Sequence, residues 1–175
     1  MVAIAEIAGG SCPAGTAVRG SLVIPGRASE VARARRFVVA ALGDDHPCAD
    51  ISVLLASEIV TNAVRHTDSG RGGSVRVAVA AADGVVLVAV TDDGTAGSVP
   101  HVCRGPRAES GHGLLLVEAM ASRWGARRDG PGTTVWCEVT FLPGALPRCP
   151  GAARTAALPR AGIASQDRLR WHMLG

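Results

Sequence analysis

Glu58 and Asn62 stand four residues apart in the run ASEIVTNAVRHT at 56–67. That spacing stacks both side chains one helical turn apart on a single face. A carboxylate so placed can take a proton from an incoming hydroxyl. The amide oxygen beside it suits a Mg²⁺ ion that keeps several waters and phosphate ligands. Further along, VTDDG at 90–94 sets Asp92 at the end of the row Val86, Val88, Val90, so a carboxylate closes an apolar strand face. Once buried, such a group needs donors, and the exocyclic amine of an adenine is one. Gly94 after it lets the backbone approach a flat ligand closely. Third, Gly111-His112-Gly113 in SGHGLLLV at 110–117 precedes a helical stretch. Glycines there leave backbone N–H groups free to face phosphate. Each signature also has a bland reading: a solvated helix face, a turn cap at a strand end, a flexible loop end.

The elements that must position these residues follow from periodicity. A short strand, SLVIP at 21–25, ends at Pro25. A helix is predicted over 29–42, with Ser29 as its cap and Val31, Ala34, Val38 and Ala41 at helical spacing; GDDHP at 43–47 breaks it. A second helix runs over 50–66. Its stripe of Val53, Val60 and Val64, with Ala56 and Ala63 beside it, faces the sheet, and Glu58, Asn62 and Arg65 lie opposite with His66 alongside. Residues 75–81 and 85–92 alternate as two strands joined by an Asp83-Gly84 turn. An irregular stretch rich in Gly and Pro follows over 93–112, then a helix over 114–124 and a last strand over 133–141. In that strand Thr133 shares parity with Val135, Cys137 and Val139, which lets it face the same pocket as Asp92. The chain thus divides into a loose segment at 1–19, an α+β domain at 20–142 and a tail rich in Pro, Gly, Ala and Arg at 143–175.

Composition narrows the function classes. With 47% apolar but only 3% aromatic residues, the core must be built from Val, Leu, Ala and Ile. All 18 basic residues are Arg, dispersed and without interleaved aromatics, which argues against a nucleic-acid groove. The five Cys are odd in number and form no C-x-x-C pair, and the five His show no paired ligand spacing. A reduced, cytoplasmic protein without a structural metal is expected. No apolar run approaches the roughly 18 residues of a membrane span.

Taken in order, the boxes E-I-V-T-N-A-V-R-H, V-T-D-D-G, G-H-G-L-L-L-V and G-T-T-V-W resemble the histidine-kinase-like ATPases, the superfamily of gyrase, a heat-shock chaperone, histidine kinases and a mismatch-repair ATPase. Within it the chain is most similar to small anti-sigma factor serine/threonine kinases. The resemblance implies a Bergerat-type ATP-binding fold, a two-layer sandwich with helices on one face of a mixed, mostly antiparallel sheet. It implies ATP and Mg²⁺ as cofactors. By it, Asn62 coordinates the metal, Asp92 reads the adenine amine with Thr133 acting through water, and Gly94 lies against the base. Gly111, His112, Gly113 and Leu114 contact phosphates, and His66 joins the nucleotide-binding set. Glu58 is the general base, and residues 95–112 correspond to a mobile lid, where Arg104 or Arg107, or else Arg65, would meet the γ-phosphate. The implied partners are a sigma factor and a small antagonist protein, with a homodimer whose 29–42 helix contributes to the interface or to sigma binding. One departure stands out: the second box usually runs D-x-G-x-G, and here Ala96 takes the last Gly position with Gly97 one residue later.

Two readings compete. In one the protein is a kinase that phosphorylates a Ser or Thr of the antagonist. In the other it is a nucleotide-dependent binding module without physiological transfer. A full histidine kinase is disfavoured, because only about 20 residues precede the first strand where an upstream phosphoacceptor helical domain is needed.

Overall fold

A computed structural model of the chain describes residues 15–95 and 112–142. Five strands and three helices are described: β1 (Ala17–Pro25), α1 (Val31–Leu42), α2 (Ala49–His66), β2 (Ser74–Ala82), β3 (Val85–Asp92), α3 (His112–Met120), β4 (Arg123–Asp129) and β5 (Gly132–Thr140). The strands form one sheet in the order β1-β2-β3-β5-β4, and every described pairing is antiparallel, so the sheet is less mixed than expected. The α+β sandwich is the one the sequence implies.

The core is aliphatic, as the composition demands. Val75, Val77 and Val79 of β2, Val86, Val88 and Val90 of β3, and Val135, Cys137 and Val139 of β5 alternate onto the helix-facing side of the sheet. Ala34 and Val38 of α1, Ala56, Ile59, Val60 and Ala63 of α2, and Leu114 and Val117 of α3 cover them. On the opposite face Ala78, Ala80, Leu87 and Ala89 form a smaller cluster against which Trp136 packs. Burial of α2 centres on Ala56, Ile59, Val60 and Ala63, while Val53 and Val64 are half-buried, because the helix lies between α1 and α3 as well as on the sheet. Cys48 and Cys137 are free and buried; burial raises both thiols, Cys137 to about 12, so neither is a thiolate at neutral pH.

Four local expectations change. β1 starts at Ala17, before the predicted Ser21, because residues 17–20 continue the pairing with β2 across an irregularity between Val18 and Gly20. Ser29 does not cap α1; it lies in a 3₁₀ turn over Ala28–Glu30, and Glu30 takes the cap position without a side-chain bond. The third helix ends at Met120 rather than Trp124. The chain instead turns at Ser122, whose N–H bonds Glu138 O at 2.8 Å, and enters β4, a strand the periodicity did not reveal. Its alternation is short: Trp124 and Ala126 pack on the core, and Arg123 lies over Trp136 at 5.9 Å while meeting Glu138 at 3.5 Å. An Arg-rich strand suits a sheet edge, where charge discourages further pairing. The 1–14 segment, most of the stretch proposed as a lid and the 143–175 tail lie outside the described residues.

Candidate functional site

β3 is the central strand, and Asp92 is its last residue. As the alternation requires, its side chain falls on the helix-facing side and is 5% exposed. The Gly94 N–H donates to Asp92 Oδ1 at 2.7 Å, and the Thr133 backbone N–H, across the ladder, donates to the same carboxyl. These two bonds lower the carboxyl's proton affinity, yet burial outweighs them and the neighbouring Asp93 adds repulsion, so the pKa is raised above the usual carboxylate value. A carboxylate has about four lone-pair positions. With two donors engaged, acceptor capacity remains, which fits an amine donor from a ligand. Thr133 is itself buried beside it.

Gly94 turns the chain out of the sheet with φ of 76°. A Cβ at this position would lie 1.8 Å from Pro131 O, so the close approach at Gly94 is made by the chain's own backbone. Gly94→Ala is therefore expected to cost about 2 kcal/mol or more, combining left-handed strain with a backbone clash. Urea unfolding of the variant checks this, as a midpoint shift at constant m-value.

The C-terminal end of α2 meets this turn. Asp68 N–H donates to Gly94 O at 2.8 Å, and Thr95 Oγ1 donates to His66 O at 2.8 Å. Glu58 and Asn62 lie on the same helix, two turns and one turn before that junction, and both are half-buried. Neither side chain hydrogen-bonds to a described residue. The structure thus joins the C-terminal end of α2 to the turn after Asp92, and the ladder sets Thr133 beside Asp92. Arg65 and His66 are exposed, and the part of His66 in use is its backbone carbonyl.

Of the Gly-rich signature, Gly111 lies outside the described residues, as do Ala96, Arg104 and Arg107. His112 and Gly113 open α3, and the buried Leu114 is its third residue, within the first turn. With its side chain in the core, Leu114 can offer a phosphate only its backbone. A shallow hollow of about 460 Å³ on α1 is lined by Arg35, Arg36, Val39, Ala40, Gly43 and Asp44, and the Nε of Arg35 donates to Ser57 Oγ of α2 at 2.9 Å.

Sequence reasoning missed several contributors. Asp93, on the face opposite Asp92, accepts Ser74 N–H at 2.7 Å and meets Ser69 Oγ at 3.2 Å. Arg128 Nη2 donates to Thr95 O at 2.7 Å from across the β4 edge. The missed signal was the T-D-S-G run after α2, whose Thr67 hydroxyl bonds Ala63 O at 2.7 Å and accepts Ser69 N–H.

Comparison with known proteins agrees with this fold. The histidine kinase-like ATPase domain family matches residues 24–138, from the end of β1 into β5. The chain belongs to that family. An uncharacterized protein of Streptomyces coelicolor is 36% identical over 85 residues, covering 47% of this chain and 78% of that one. Among solved structures, the RsbU and RsbW domains of Rv1364c from Mycobacterium tuberculosis align with a TM-score of 0.50 and 26% identity, over 69% of this chain. The chain spans only 32% of the length of that protein. Within the family match lie Glu58, Asn62, Asp92, Gly94 and Thr133.

Proposed function

We propose that the domain binds Mg-ATP and transfers the γ-phosphoryl group to a Ser or Thr of a small antagonist protein, as an anti-sigma factor kinase in a partner-switching system. The observation that carries the reading is the docking of the C-terminal end of α2 on the 92–95 turn. It supports reading the acid-amide face of that helix and the buried Asp92 as parts of one site. Asp92, held by Gly94 and Thr133 N–H groups, would accept the adenine amine. Asn62 would be the protein ligand of magnesium, and the amides opening α3 would face phosphate. Mg-ATP supplies the phosphoryl group and the charge neutralisation; the chain supplies position. Glu58 would accept the proton of the incoming hydroxyl, one helical turn from the metal ligand.

A second reading, a nucleotide-dependent binding module, is favoured by one observation. General bases are usually oriented by a third group, and no described residue hydrogen-bonds to Glu58. The partners of either reading are a sigma factor and its antagonist, and the exposed Arg33, Arg35 and Arg36 of α1 offer a face for them or for a second copy. No helix among the described residues is long and apolar enough to cross a membrane; a cytoplasmic location belongs to the proposal. Incubation with γ-labelled ATP and a candidate antagonist tests it. The kinase reading expects label on the antagonist. Measurable ATP affinity without label on any cognate antagonist establishes the binding module.

A further inference from the structure

The turn that carries Asp92 is held by a clamp outside the nucleotide pocket. The β2–β3 ladder stops at Arg76 and Thr91. Continued by two residues, the register would set Ser74 opposite Asp93, and the Ser74 N–H would pair with that residue's carbonyl. Instead the Asp93 carboxylate takes the Ser74 N–H at 2.7 Å. The side chain replaces the missing rung, which frees the backbone to turn at Gly94. Ser69 completes the clamp. It is fully buried in the 3₁₀ turn Asp68–Arg71 and accepts the Asp93 N–H at 2.9 Å. Its hydroxyl proton is shared between Ser74 O at 2.6 Å and Asp93 Oδ2 at 3.2 Å. Gly73 leaves room for the arrangement: a Cβ there would lie 2.0 Å from Asp93 Oδ2.

We propose that Ser69 and Asp93 are positioning residues that fix Asp92 and Gly94 for adenine, so that they set the base selectivity of the site without touching the nucleotide. This rests on the reading of Asp92 as the adenine acceptor. Adjacent strand residues point to opposite faces, so Asp93 cannot line the pocket that Asp92 lines. It acts on the pocket through the backbone they share. Loss of the Asp93 acceptor leaves the Ser74 N–H to recapture the Asp93 carbonyl. The ladder then lengthens, and Gly94 and the Asp92 carboxyl are drawn away from Thr133.

The test uses the full chain, with ADP and IDP as probes; IDP carries a carbonyl where ADP carries the exocyclic amine. Calorimetry well below the unfolding temperature should show Asp93→Ala and Ser69→Ala losing about tenfold in ADP affinity, with the ADP/IDP ratio falling toward one. Asp93→Asn keeps an acceptor oxygen and should retain both affinity and ratio. Lowered thermal stability with an unchanged ADP/IDP ratio in the alanine variants would assign the clamp a purely structural role and overturn the proposal. Asp92→Asn is the control: if it leaves ADP affinity unaltered, the adenine assignment itself fails, whatever the clamp variants do. A second measurement needs no variant. Coupling is reciprocal, so ADP should slow hydrogen exchange at the Ser74 amide of the native chain. Unchanged exchange at that amide under saturating ADP counts against the clamp.

Discussion

Glu58→Ala is expected to leave ATP binding within about twofold of the native value while phosphoryl transfer to the antagonist falls by roughly 10²–10⁴-fold, the usual contribution of a positioned general base. The separation of the two effects follows from where Glu58 sits. It lies a full helical turn before Asn62, and no described residue hydrogen-bonds to it, so removing its carboxylate breaks no hydrogen bond among the described residues. It is half-buried, so truncation to Ala also opens no deep cavity. Single-turnover transfer with γ-labelled ATP, beside calorimetric ATP affinity, reads both quantities. A variant that transfers at the native rate removes Glu58 from the mechanism. One that loses ATP affinity in parallel makes it a binding group instead.

Asp92→Asn should act in the opposite sense on stability and on binding. A carboxylate bonded to an amine contributes about 1.5–3 kcal/mol, so its replacement is expected to weaken ATP binding by at least about tenfold. The free protein should become no less stable. Burial raises the Asp92 pKa, so the folded state binds its proton more tightly than the unfolded chain does. The stabilisation linked to that proton is fully present below the unfolded pKa and is lost as pH rises through the higher folded value. Above that folded value the fold carries the carboxyl's charge at a cost, because burial disfavours the ionised form. Asn keeps an oxygen for the Gly94 N–H and removes the charge. Thermal unfolding of the free variant at pH 7 should show an equal or higher midpoint than the native chain, with the difference shrinking below about pH 4. A lower midpoint at pH 7 would mean that the ionised carboxylate stabilises the empty fold.

The elements whose side chains alternate or recur over many residues were legible in the sequence. The β2–β3 hairpin, with Asp83-Gly84 between two Val-rich runs, and α2, with its long apolar stripe, fall within a residue or two of expectation. So does the parity that places Asp92 and Thr133 on the helix side. What stayed hidden depends on partners distant in sequence. β4 becomes a strand because Ser122 and Arg123 meet Glu138, fifteen or more residues later, and no local pattern announces that pairing. Strand alternation turns Asp93 away from Asp92, and it is exposed. Its role comes from Ser69 and Ser74, which reach it only once α2 has docked on the sheet. Gly94 was expected to admit a flat ligand; a further reason for glycine there, the Pro131 carbonyl where a Cβ would lie, had no signal in the sequence.

The strand order has a consequence for when this protein can acquire its ligand. β5, the last described strand, inserts between β3 and β4 rather than adding at an edge. Thr133 and the N–H that holds Asp92 therefore arrive only after nearly the whole domain has been synthesised. A chain interrupted in β4 could hold all three signatures and still present a carboxylate with half its donors. Nucleotide retention would then report closure of the entire sheet, and a bound nucleotide would oppose complete unfolding more than local opening.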